Sequence, residues 1–133
     1  MISPESVESE YNRFLVAMAL DSRLDTTRMT EADARSYAET KLLLTNAMAR
    51  GTLTINEQGE PVFAPQADAA PIVFHEATGG DLMAMDRARK GFDIEKQNLL
   101  LAAVTKEPRT RFEKMALRDY RVCVALLVLM VLS

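Results

Sequence analysis

The sequence is poor in the residues from which reactive and metal-binding centres are assembled: its 133 residues include one cysteine, Cys123, and one histidine, His75. A single cysteine excludes an intrachain disulfide framework, and one cysteine with one histidine falls short of the four soft or imidazole ligands of a structural zinc site. A lone imidazole also excludes a two-histidine metal site or a histidine relay within one chain. Charge of one sign is lacking as well. The chain has 16 Lys and Arg against 19 Asp and Glu, a net charge of -3, which gives no bulk electrostatic reason to bind nucleic acid. Long apolar runs are missing too. The apolar run from Val122 to Leu132 has 11 residues, and as a helix it would rise about 17 Å against the roughly 30 Å hydrocarbon core of a bilayer. A helix buried in the chain or covered by a partner is expected there, not a membrane anchor. The first residues, MISPESVESE, are acidic and polar where a secretory signal needs a basic start and an apolar stretch. A cytoplasmic protein with a reduced thiol is the expectation.

What is present is an ordinary globular composition, 48% apolar and 26% charged, sufficient for one domain. The patterning predicts an α+β, predominantly α-helical fold in three zones: a helical pair over 1–51, a small β-hairpin and loop over 52–75, and helices over 76–133. In the first zone Ser3 and Pro4 form an N-cap and first-turn pair, and Val7, Tyr11, Phe14, Leu15 and Met18 recur on one helical face. A break at 21–27 leads to a second helix. Thr30 is its N-cap, Ala34, Tyr37, Leu44 and Met48 its apolar side, and Gly51 its left-handed C-terminal residue. A short polar link between the two favours an antiparallel hairpin.

The middle zone has no Lys or Arg. Leu53 and Ile55 alternate with Thr52, Thr54 and Asn56, the period of a strand with one buried face. NEQGEP then supplies a turn with Gly59 at positive φ. Residues 61–64 and 71–75 are candidate second and third strands, and the proline heading each argues for a strand start or an edge rather than a central position. Residues 64–71 read as a loop. In the last zone Asp81 is a candidate cap for a helix ending at Gly91. Asp93 caps the next, with Ile94, Leu101 and Val104 on one face and Leu100 beside them. Pro108 separates RTRFEKMA, where Phe112, Met115 and Ala116 share a side, and Asp119 caps a last helix carrying Tyr120 and the apolar run. Residues 1–70 hold 6 basic and 11 acidic residues, and residues 71–133 hold 10 and 8.

Candidate chemistry is sparse. His75, on a predicted strand beside Phe74, reads as a partly exposed strand residue before it reads as a general base. Cys123 lies inside the apolar run, where a thiol is inert, because a reactive thiolate needs accessible, electropositive surroundings. TGGDL places adjacent glycines before a helix but matches neither the dinucleotide nor the phosphate-loop spacing, and Asp81 would repel a phosphate. Asp81, Asp86, Asp93 and Glu95 belong to helix starts and solvated faces, with nothing to pair them for acid and base roles. An enzyme, a cofactor and a metal site are therefore not expected. The bases RARK at 87–90, Arg109, Arg111, Lys114, Arg118 and Arg121 alternate with Asp86, Glu107, Glu113 and Asp119, as on a solvated mixed-charge surface. Eight methionines, Met83, Met85, Met115 and Met130 among them, suit irregular cores and adaptable binding surfaces. With a terminal apolar helix, they give the chain more apolar surface than a small core needs, which points to self-association or to holding another chain's helices.

The segment VFHEATGGDLMAMDRARKG, a leucine-rich helix, AVTKEP and FEKMALRDYRV resembles the tail assembly chaperones of long-tailed phages, particularly those with Mu-like and P2-like contractile tails. In that family a β-hairpin leads into a strand, a REPT-x-GDL turn, a helix, a leucine-rich helix and a closing helix announced by an Asp-Tyr pair. HEATGGDL at 75–82 stands in the place of that turn, and Asp119 with Tyr120 matches the closing element. The resemblance covers roughly 52–125. His75 and Ala77 depart from the family's Arg and Pro, and the first 50 residues lie outside its pattern. The resemblance implies a non-enzymatic role: several copies bind the helical tape measure protein, keep it from aggregating and leave as tail-tube subunits polymerise. Met115, Tyr120, Val124, Leu127 and Val131, on the last two helices, are the expected contacts with the partner or with further copies. A small structural phage protein retained in the particle and a DNA-binding regulator are the alternatives.

Overall fold

The computed structural model describes residues 2–20, 26–65, 70–83 and 93–132. Helix α1, Pro4–Ala17, begins where the Ser3 hydroxyl accepts the Ser6 amide at 3.3 Å, and buries Val7, Tyr11, Phe14 and Leu15. After a 3₁₀ turn at Thr26–Arg28, helix α2, Glu31–Arg50, starts under the Thr30 hydroxyl, which accepts the Asp33 amide at 3.1 Å. Its C-terminal cap is Gly51, with φ of 82°. Three contacts fix α1 and α2 as antiparallel: Ile2 N–H to the Ala49 carbonyl, Lys41 to Glu8, and the Tyr11 hydroxyl to that of Tyr37 at 2.8 Å. Residue numbers fall along one helix as they rise along the other.

Strands β1 (Leu53–Ile55), β2 (Pro61–Phe63) and β3 (Ile72–Val73) form an antiparallel sheet in sequential order. Leu53 pairs with Phe63, Ile55 with Pro61, and Phe63 with Ile72, so the expected alternation delivers Leu53, Ile55, Phe63 and Ile72 to the core while Thr54 stays exposed. The hairpin turn is held by the Asn56 carboxamide oxygen, which accepts the amides of Gln58 at 3.0 Å and Glu60 at 2.9 Å, with Gly59 at φ 81°. Pro61 takes the strand-start place expected for it, and the expectation against a central position is corrected: β2 is the central strand. Pro61 is its first residue, and its carbonyl, facing β3, accepts the Phe74 amide at 2.9 Å. Both main-chain groups of a strand residue point to one side. The missing N–H of Pro61 therefore faces the end of β3 and costs no bond to β1.

The last zone contains α3 (Gly79–Met83), α4 (Asp93–Thr105), α5 (Arg109–Glu113) and α6 (Leu117–Leu127), continued by a π-helical turn at Val128–Leu132. Several helix starts differ from expectation. Thr78, not Asp81, caps α3: its hydroxyl accepts the Asp81 amide at 3.2 Å while the Asp81 carboxylate accepts the Thr78 amide at 2.9 Å, a reciprocal capping box. Asp119 lies in the first turn of α6, whose N-cap is Ala116 with no side-chain bond. An acid near a helix N-terminus is favoured at either place, because the free amides and the dipole reward both. Ala116 thus leaves the side of Phe112 and Met115 assigned to it: α5 stops at Glu113, and RTRFEKMA is not one helix. Ile94 is 69% exposed although Leu100, Leu101 and Val104 are buried. It lies a turn before the Asn98–Tyr120 contact between α4 and α6. The cap expected at Asp93 falls at the border of the described residues, and the stop at Gly91 lies outside them.

One core joins the zones. Phe14, Phe63, Phe74, Phe112, Leu44, Leu101 and Leu126 are all at most 1% exposed. Helix α6 packs on α2 and α4, and the His75 amide ties the end of β3 to the Val104 carbonyl of α4 at 3.2 Å. Among the described residues no helix is long and apolar enough to cross a membrane.

Candidate functional site: an apolar groove between α2 and α6

A helix that is apolar nearly all round must be covered on most sides. The run from Val122 does this largely within the chain: Val122, Cys123, Ala125, Leu126, Leu127 and Leu129 are at most 4% exposed. The side facing α2 is not fully closed. Helix α2 carries the run Leu42-Leu43-Leu44, and because successive helical residues turn by about 100°, one face cannot bury all three. Leu44 is fully buried, Leu43 is 40% exposed and Leu42 is 60% exposed. Between the helices lies a groove of about 340 Å³, walled by Thr40 and Leu43 on α2 and by Leu117, Tyr120, Arg121, Val124, Ala125 and Val128 on α6 and its extension, with Gln97 of α4 at one end. Leu117 is 62% exposed. Tyr120 is held in place because its hydroxyl donates to the Asn98 side-chain oxygen at 2.7 Å and lies 3.4 Å from that of Gln97. Burial, with a smaller contribution from Cys123, raises its phenol above the ordinary range, so it remains a neutral donor.

The five residues expected to meet a partner separate. Tyr120 and Val124 line this groove. Met115 is half-buried against the core, where its thioether accepts the Cys123 thiol at 3.7 Å. Leu127 is fully buried inside the chain, a correction: the helix turns it toward its own core, where a partner cannot reach it. The side chain of Val131 lies outside the described residues. Leu43, Leu117 and Val128 were not anticipated. The triple leucine in α2 was the available signal for Leu43, since its geometry requires that a leucine remain outside.

A second groove, of about 500 Å³, separates α1 from α2 and includes Ile2, Val7 and Leu42. Charge crosses it: Lys41 pairs with Glu8 at 2.9 Å and stands 5.1 Å from the centre of the Tyr11 ring. Its lining is about as apolar as that of the α2–α6 groove, and it is the larger of the two.

The remaining candidates have structural partners. His75 follows β3, and its Nδ1 lies 2.9 Å from Glu60 Oε2. The Glu60 carboxyl is lowered below its ordinary range, first by the Asn56 amide and then by His75, against an opposing effect of burial. Cys123 is fully buried, and burial followed by the charge of Asp119 pushes its thiol up to about 12. Such a thiol is no nucleophile near neutral pH. Arg109 pairs with Glu113 at 3.3 Å, and Arg111 with Glu107 and the Ala70 carbonyl. Residues 87–90 lie outside the described residues, as do Met85 and Asp86. Among the described residues no three His, Cys, Asp or Glu side chains gather as a metal site would require. The buried carboxylate oxygen Oδ2 of Asp119 has no hydrogen-bond partner among the described residues. No family model matches this chain, and neither a curated protein nor a solved structure matches it.

Proposed function

We propose that the protein is a tail assembly chaperone of a long-tailed phage or prophage, acting in the host cytoplasm by holding apolar helical segments of a tape measure protein until tail-tube subunits replace it. The observation that carries this reading is the solvent-open apolar groove between α2 and α6, with Leu43 and Leu117 exposed beside Val124, Val128 and the fixed ring of Tyr120. Such a surface fits an amphipathic helix laid into a groove, where apolar side chains at helical spacing supply the contact. The resemblance over 75–82 and at Asp119-Tyr120 supports the choice of client. Modest affinity per copy, multiplied along a long repetitive helix, would hold the client and still allow release.

Co-expression with a tape measure protein tests the proposal. The chaperone should raise the soluble yield of that protein and be retained with it in a pulldown. Leu117→Asp should abolish both effects while leaving the far-ultraviolet circular dichroism unchanged. Absence of binding and of any gain in solubility would refute it. Mass spectrometry of purified particles addresses the alternative of a structural component: a chaperone is missing from the finished particle, a structural subunit present.

A further inference from the structure

We draw no further inference here: the strongest candidate, the apolar outer surface of α2 where exposed Leu42 and Leu43 border the α1–α2 and α2–α6 grooves, carries none because nothing in the structure shows what covers it.

Discussion

Two glycines with nearly the same backbone conformation occupy opposite surroundings, and replacing each by alanine separates two physical costs. Gly51 has φ of 82° with no atom within 4 Å of where a Cβ would stand; Gly59 has φ of 81°, and its Cβ would fall inside the contact distance of the Ala17 Cβ at the end of α1. For Gly51→Ala only the left-handed backbone counts. An L-residue costs about 1–2 kcal/mol there, offset by about 0.4–1 kcal/mol because alanine restricts the unfolded chain, which leaves about 1 kcal/mol. Gly59→Ala carries the same conformational cost plus overpacking against a helix end tied to the hairpin, where Arg13 donates to the carbonyls of Ile55 and Asn56. Overpacking adds about 1–3 kcal/mol, giving about 2–4 kcal/mol in all. Urea unfolding followed by circular dichroism reads both. The decisive arm is Ala17→Gly, which removes the opposing methyl: Gly59→Ala introduced into that background should cost only about 1 kcal/mol, like Gly51→Ala. Equal costs for the two glycines in the parent, or no relief from Ala17→Gly, would refute the close approach of the β1–β2 turn to α1.

Further outcomes follow from the same structure. Ala19 and Lys106 hold positive φ, 56° and 60°, at the ends of α1 and α4; glycine at either should raise stability by about 0.5–1 kcal/mol, read as a higher urea midpoint. A carboxyl whose folded pKa is lowered stabilises above its unfolded value, and that contribution disappears as pH falls through the folded value. Glu60, lowered from 4.5, should therefore contribute above that pH, and Glu60→Gln should flatten the acid side of a stability–pH curve. With its thiol raised to about 12 and fully buried, Cys123 should resist aromatic disulfide reagents in the native protein and react at once in urea; rapid native labelling would contradict its placement.

The parts of the fold that were legible in the sequence are those where a local rule has one solution. Thr30 and Gly51 bracket α2 because a hydroxyl cap and a left-handed glycine each satisfy orphan backbone groups in their own way. The alternation through Leu53 and Ile55, broken at Gly59, leads to one hairpin register. Illegible parts have several local solutions that packing chooses between. An aspartate satisfies helix amides from the cap or from the first turn, so Asp81 and Asp119 did not reveal which position they hold. Nothing local marks the break at 114–116, which follows from the burial of Phe112 and Val122 on separate short helices. Proline at the head of β2 argues for a strand start or an edge and against a central strand, because the sequence does not say that β3 ends beside its missing donor. The site was legible only in part for the same reason: an all-apolar helix carries no periodicity to indicate that Leu127 faces inward and Val124 outward.

This ambiguity has a consequence for function. In an ordinary amphipathic helix the polar stripe fixes which side meets water, and one substitution to charge in that stripe is harmless. Helix α6 has no such stripe beyond Arg121, so only its neighbours decide what is surface. Helix α4 covers one side, tied by the Asn98–Tyr120 bond, and α2 packs along another. Leu43 stands at the rim because Leu44 holds the inner position. The groove is therefore left over from packing these helices together, and its apolar character follows from the leucines of α2 and the run of α6 that begins at Val122. A charge introduced at Val122, Cys123, Ala125, Leu126 or Leu127 should disturb the core, whereas one at Leu43 or Leu117 should alter surface contacts alone. The leucines that the fold leaves uncovered beside the groove are Leu43 on α2 and Leu117 on α6.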